Sequence, residues 1–251
     1  MDFYKRFYGA TPSLCNRGTI GTAILNISDT AQNIDMGVTF ATAAKLDVTS
    51  SSVADASAGT GARTVMIYGL DFDGNPLVET LTMNGQTIVQ TVESFWRIFG
   101  VKIVTAGTGR KNAGDIYIVK TGTGGTYTTG VPGTLTSLIL KMLVGLNVAT
   151  SGMWTCPRGF TYALDHGVVQ SRVIAGRFQI WHGNERGAVV DLPTPVTDID
   201  LAVSGPSTIS FPPNFVLNEL DDIYFKATMT AASGIISADI CLRQLSPSWM
   251  R

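Results

Sequence analysis

Hydrophobic and polar residues alternate along much of this chain, in short runs cut by Gly, Asn, Asp and Pro. In 223-IYFKATMT-230, Ile223, Phe225, Ala227 and Met229 fall on one face, while Tyr224, Lys226, Thr228 and Thr230 fall on the other. In 235-IISADICLRQL-245, Ile236, Ala238, Ile240 and Leu242 oppose Ser237, Asp239, Cys241 and Arg243. A period of two places alternate side chains on opposite faces of an extended backbone, so both segments read as strands packed on one side. Further strands are predicted at 64–69, 77–83, 86–91, 98–106, 115–121 and 177–182. No segment sustains a helical period, and 93-ESFWRI-98 has room for one turn at most. The run 135-LTSLILKMLVGLNV-148 is apolar on both faces. Helix and strand both fit its length; modest β-branching and Gly145 notwithstanding, it is read as a central strand.

The pattern restarts after residue 148, where 153-MWTCPRGFTYALDHG-167 passes a Pro-Arg-Gly turn and enters a new strand. The expected organisation is all-β: two tandem antiparallel β-sandwich or jelly-roll-like units, over 36–148 and 149–251, preceded by an extended N-terminal arm over 1–35. Phe3, Tyr4, Phe7 and Tyr8 crowd that arm without a clear period, as in a segment lying on another surface. That surface is either a partner or the chain's own domain.

Composition narrows the function classes. Of the 251 residues, 45% are hydrophobic and only 15% charged, with a net charge of -1. An average soluble domain carries roughly 25% charged residues. A surface so poor in charge is suited to facing other protein. Near-zero net charge and a densest basic cluster of only Arg110-Lys111 argue against direct nucleic-acid binding. The three cysteines, Cys15, Cys156 and Cys241, are odd in number and widely spaced, which fits a reducing compartment rather than a disulfide framework or a zinc site. The opening MDFYKRFYGA has no signal-peptide apolar run, and 138-LILKMLVGL-146 is far short of a membrane span. The expectation is synthesis in a cytoplasm with no membrane contact.

The stretch 69-GLDFDGNP-76 offers two aspartates and an asparagine at alternate positions, as in a calcium loop. Gly74 comes too early for that loop, and its closing position holds Thr82 rather than glutamate. A reversal between strands 64–69 and 77–83 fits better, and 84-NG-85 supplies a second, making a β-meander. The glycine pairs at 59-GTG-61, 107-GTG-109 and 122-GTGG-125 have neither phosphate-loop nor dinucleotide-loop spacing and read as loops. Two histidines, His166 and His182, with scattered Glu79, Glu93, Asp191 and Asp198, form no recognisable catalytic constellation, and no nucleophile elbow is present. The expectation is a protein that is not an enzyme and needs no cofactor or metal. Of the four tryptophans, Trp96 and Trp154 read as core, while Trp249 near the C-terminus reads as an interface anchor.

The succession 57-SAGTGARTVMIYGLDFDGNPLVETLTMNG-85 and 95-FWRIFGVKIVTAGTGRKNAGDIYI-118 resembles a β-module of virion structural proteins in tailed bacteriophages. The second half, with 154-WTCPRGFTYAL-164 and 211-FPPNFVLNELDDIYFKATMT-230, is similar to the same class. It departs at 155-TCPRG-159, where such proteins often read Val-Pro-Ala-Gly. The resemblance implies a capsid decoration, cement or head-fibre-like protein located in the virion, with the major capsid protein or other virion proteins as partners. It also implies a homo-oligomer, with a trimer suited to local threefold positions of a shell. The alternative it allows is a tail or head-fibre component that binds a carbohydrate receptor. On either reading the interface residues expected are Phe3, Tyr4, Phe7, Tyr8 and Trp249.

Overall fold

The computed structural model describes residues 13–18, 33–35, 42–134, 138–151, 153–172, 176–184, 191–201, 205–211, 215–229 and 235–245. The protein is all-β, and every strand pairing among these residues is antiparallel. In chain order the strands are β1 (Ser13–Gly18), β2 (Asn33–Asp35), β3 (Leu46–Ser50), β4 (Ala62–Leu70), β5 (Pro76–Thr82) and β6 (Val89–Gln90). There follow β7 (Arg97–Ala106), β8 (Ile116–Lys120), β9 (Leu138–Met142), β10 (Val148–Thr150), β11 (Met153–Thr155) and β12 (Tyr162–Arg172). The last six are β13 (Gly176–Asn184), β14 (Asp191–Leu201), β15 (Gly205–Ser210), β16 (Val216–Leu217), β17 (Asp222–Met229) and β18 (Ile235–Gln244).

Two compact units result, dividing after Ser151. Their chain order is nested rather than strictly successive. Val38–Ser151 form one inserted unit, and segments from both sides of it build the other. Two strands of the segment read as an arm are responsible. β1 pairs with β18, and β2 pairs with β17, so residues 13–18 and 33–35 are built into sheets of the composite unit. Phe3, Tyr4, Phe7 and Tyr8 lie outside the described residues.

The inserted unit has two four-stranded sheets, ordered β10-β7-β4-β5 and β6-β3-β8-β9. The β4–β5 hairpin closes through residues 71–75, with Gly74 at φ 82°. Val65 of β4 and Leu81 of β5 are buried between more exposed neighbours, while β4 is buried on both faces from Ile67 to Leu70. β3 and most of β8 are buried on both faces, including Leu46, Val48, Ile116 and Ile118. Part of the covering on β3 comes from the loop after β8. Its Thr128–Val131 bridge brings Gly130 against the Ser50 carbonyl. Arg97, also buried, lies with its guanidinium 3.8 Å from the Trp96 ring centroid.

Two local expectations are corrected here. The apolar run over 135–148 does not form a central strand. Among the described residues β9 pairs only with β8, at an edge of its sheet, and a turn with Gly145 at φ 82° and Asn147 at φ 63° separates it from β10. Nor do residues 93–98 form a helical turn. Phe95 makes a bridge to Ala44, and Trp96 donates its N–H to the Leu70 carbonyl, so strand-type contacts take up these backbone groups.

The composite unit contains sheets β1-β18-β12-β15, with β16 also on β12, and β11-β17-β13-β14, with β2 also on β17. Phe178 and Ile180 of β13 are fully buried, while Arg177, one residue before Phe178, is exposed and donates from Nε and Nη2 to the two carboxylate oxygens of Asp198 on β14. Trp154 and Tyr162 meet edge to face at 5.0 Å inside the unit. Trp96 and Trp154 are therefore both core residues, each 2% exposed.

Candidate functional site

The functional question is whether the polar side chains converge on a reacting centre or serve the scaffold. In the inserted unit the densest convergence is on Asp55, which is fully buried in the loop between β3 and β4. Its carboxylate accepts hydrogen bonds from Ser50 Oγ at 2.6 Å, Ala62 N at 2.6 Å, Ala113 N at 2.8 Å and Gly114 N at 2.9 Å. Its carbonyl accepts a fifth from Gly85 N at 2.7 Å. The turn motifs that looked independent in sequence thus meet around one residue, 59-GTGA-62 and 112-NAG-114 at the Asp55 carboxylate and 84-NG-85 at its carbonyl. Gly61 is required there: a Cβ at that position would sit 2.1 Å from Asp55 Oδ1. Asn112, also fully buried, ties the next layer by donating to the Gly114 and Leu143 carbonyls and accepting from Gly145 N. These contacts join the loops to one another and to the ends of β3 and β4.

The 71–75 loop behaves likewise. Asp71 Oδ1 accepts the Asn75 N–H at 2.9 Å, and Asn75 Nδ2 donates to Asp71 Oδ2 at 3.1 Å. Asp71 and Asn75 thus bond to each other across the turn, while Asp73 is exposed at its tip. Glu79 caps a neighbouring loop, accepting Val92 N at 2.8 Å and Glu93 N at 3.0 Å. On β3, Asp47 accepts from Thr121 Oγ1 at 2.9 Å and Gly122 N at 3.3 Å.

In the composite unit the structure brings together a titratable group that the sequence reading did not assemble. His182 on β13 places Nε2 3.3 Å from Asp221 Oδ2, at charge-pairing distance but off the line of a hydrogen bond. Asp221 also accepts from Asn184 Nδ2 at 3.0 Å and from Asn218 N at 2.8 Å. The Phe215 ring meets the imidazole edge to face at 5.4 Å. Burial alone would raise the Asp221 pKa, but His182, the Asn218 N–H and the Asn184 amide together hold it below the ordinary carboxylate range. Cys156, close by in the chain contacts of Asp221, is buried and turned toward the Phe160 carbonyl at 3.3 Å. Burial, with the charges of Asp221 and Glu219, pushes its thiol far above the usual range, which keeps it out of the nucleophilic thiolate form. The hydroxyl of Thr155 is bonded to Asp222. The group braces the turn at 218–221 against the end of β13.

Because the Asp221 pKa is depressed by folding, its stabilisation is present above the unfolded carboxylate pKa of ~4 and is lost as pH falls through the lower folded value. Urea midpoints measured from about pH 6 downward should therefore drop at the acid end. Asp221→Asn should flatten that acid limb and lower the plateau.

His166 lies on β12 beside a bulge between Leu164 and His166, paired through its backbone with Ser210 and Cys241. Its side chain falls outside the described residues, as do Trp249 and the four arm aromatics. Among the described residues, no group of three or more His, Cys, Asp or Glu side chains is placed to hold a metal ion.

What remains is the surface, where large apolar side chains stand exposed at one corner of the inserted unit. Val148 on β10 pairs with Lys102 on β7, and the Ile103 N–H continues the ladder to the Asn147 carbonyl. This lays the 143–147 turn along β7. Val104, Val144, Leu146 and Val148 there are 46–56% exposed. The sequence signal existed: 143-LVGLNV-148 carries apolar residues through a turn, where turn chemistry alone asks for polar ones.

No protein-family model matches the chain, and no curated protein matches it in sequence. Among solved structures it is weakly similar to infectious bursal disease virus of the Gx strain, at 11% identity and TM-score 0.25 over 86% of this chain and 58% of that one. It is similarly weakly like the VP2 subviral particle of that virus, at 13% identity and TM-score 0.21 over 85% and 57% of the two chains. A third such likeness is to T=1 particles derived from the same virus, at 11% identity and TM-score 0.21 over 86% and 56%. This chain thus spans 56–58% of the length of those chains. TM-scores this low do not establish a common fold.

Proposed function

We propose that this chain is a structural protein of a virus particle, of the tailed-phage class its turns resemble. It binds the capsid shell as a decoration or cement protein and works by contact rather than by catalysis. The observation that carries the reading is a division of labour in the inserted unit. Asp47, Asp55, Asp71, Glu79 and Asn112 fix loops, while Val104, Val144, Leu146 and Val148 face outward at one corner. Exposed apolar residues flanked by rigid loops are what a docking surface needs, because little ordering cost is left to meet on association. The partners are the major capsid protein and further copies of this chain, a trimer being the arrangement that matches a local threefold axis of a shell. Repetition over many copies holds the protein to the particle without tight single contacts.

Replacing Val144, Leu146 and Val148 together by serine tests this reading. Each half-exposed side chain contributes about 1 kcal/mol when buried, so the triple change should weaken docking by ~100-fold or more. Occupancy of the chain on purified particles should fall accordingly, with thermal unfolding of the free protein unchanged. Normal occupancy by the variant would remove this corner from the docking surface.

A further inference from the structure

The two edges of one sheet in the inserted unit carry opposite charge, each around apolar residues. At the β5 edge, the 71–75 hairpin presents Asp71 and Asp73, and Glu79 on the strand holds the 92–93 loop that presents Glu93. Phe72 and Val92 stand among them, 45% and 73% exposed. Lys45, exposed, adjoins the Ala44–Phe95 bridge. At the diagonally opposite corner, where β7 ends and β10 begins, Arg110 and Lys111 are exposed, and Lys102 lies opposite Val148. Asn147 Nδ2 donates to the Arg110 carbonyl at 3.2 Å, and the Lys111 stem lies 3.7 Å from where a Cβ on Gly145 would be. The cations are thus fastened around Val144 and Leu146. The nearby Asp115 is already paired with Lys141 at 2.9 Å and leaves the corner positive.

We propose that copies of this chain associate head to tail, the basic corner of one copy receiving the acidic β5 edge of the next. This deepens the contact-surface reading above and rests on it for the role of exposed apolar area. Each patch has an apolar centre and a rim of single sign, the arrangement of a protein interface with complementary partners. The patches are different surfaces of one molecule, so the contact is heterologous; it closes into a ring or runs on as a filament according to the rotation between copies. Like patches repel one another, which disfavours two-fold pairing through either edge.

Sedimentation velocity of the purified full chain, over a concentration series and at two salt concentrations, provides the test. Expected is concentration-dependent association that weakens as salt rises. Arg110→Asp with Lys111→Glu leaves a chain acidic at both edges; Asp73→Lys with Glu93→Lys leaves one basic at both. Neither variant touches a side-chain hydrogen bond described above, and each should melt with the parent. Each alone should associate at least about tenfold more weakly, and an equimolar mixture of the two should recover association. Should a double variant melt early, Lys111→Glu and Glu93→Lys carry the same mixing test. A monomeric parent, undiminished association in both variants, or a mixture that stays apart overturns the proposal. A monomer that still loads onto particles would refute the head-to-tail contact alone; association without loading would refute the particle role alone.

Discussion

Replacing Asp55 by alanine should leave the inserted unit unable to fold stably. The substitution strands the N–H groups of Ala62, Ala113 and Gly114 and the Ser50 hydroxyl in a fully buried site. Each buried donor left without a partner costs about 1–3 kcal/mol, so the sum is on the order of 5 kcal/mol, comparable with the whole stability of a typical domain. Asp55→Asn keeps the volume but turns an amide N–H₂ toward backbone donors, and should cost less, about 2–3 kcal/mol. Calorimetry together with hydrogen exchange read on β4 and β7 would show it. Protection there should be lost in the alanine variant and reduced in the asparagine variant. An alanine variant that melts with the parent would mean the three loops hold together without their shared acceptor.

The second large effect is expected at Gly130, in the loop that covers β3. Its φ of 77° is left-handed, and a Cβ there would lie 1.9 Å from the Ser50 carbonyl oxygen and 3.0 Å from the Gln86 Cα. An alanine meets backbone on both sides, so either the loop or β3 must move. The left-handed conformation costs about 1–2 kcal/mol and the overlap about 1–3 kcal/mol more. Tyr127, three residues earlier, reports on the outcome. Its phenol is pushed up to about 12 by burial and by the Asp47 charge. A phenol raised in this way favours the folded loop fully below the ordinary tyrosine value of ~10, and that contribution is lost as pH rises through the folded value. In Gly130→Ala the loop should lift, and the Tyr127 titration should fall back toward ~10. Alkaline difference spectra, with Tyr127→Phe to identify the signal, give the reading. An unchanged Tyr127 titration would show that the loop keeps its seat despite the added methyl.

Much of the architecture was legible in sequence because one-sided packing writes a period of two. The segments read at 64–69 and 177–182 are the cores of β4 and β13, and the hairpin reading of 71–75 matches the bonds between Asp71 and Asn75. Long-range pairing was not legible in the same way. Nothing local in 13–18 or 33–35 names β18 or β17 as partner, because those partners lie about 200 residues away in sequence and only the tertiary packing brings them together. The run at 135–148 misled for a related reason: hydrophobicity on both faces marks burial equally well in an edge strand, and β9 is buried at the edge of its sheet. Asp55 was missed because a lone aspartate in a loop carries no motif. Its signature lay instead in the glycines and alanines around it, small residues that three separate loops need in order to crowd one carboxylate. The His182–Asp221 contact joins residues on β13 and before β17, and only the sheet pairing of those strands brings them together.

The central claim is that this chain acts through surfaces built on rigid pleated units. Quantitative mass spectrometry of purified virus particles from the source that encodes it tests that claim most directly. The chain should be present in many copies per particle, in fixed ratio to the major shell protein, and released intact when bound subunits are stripped by salt or mild denaturant. A chain absent from particles and recovered only as a free protein would contradict it.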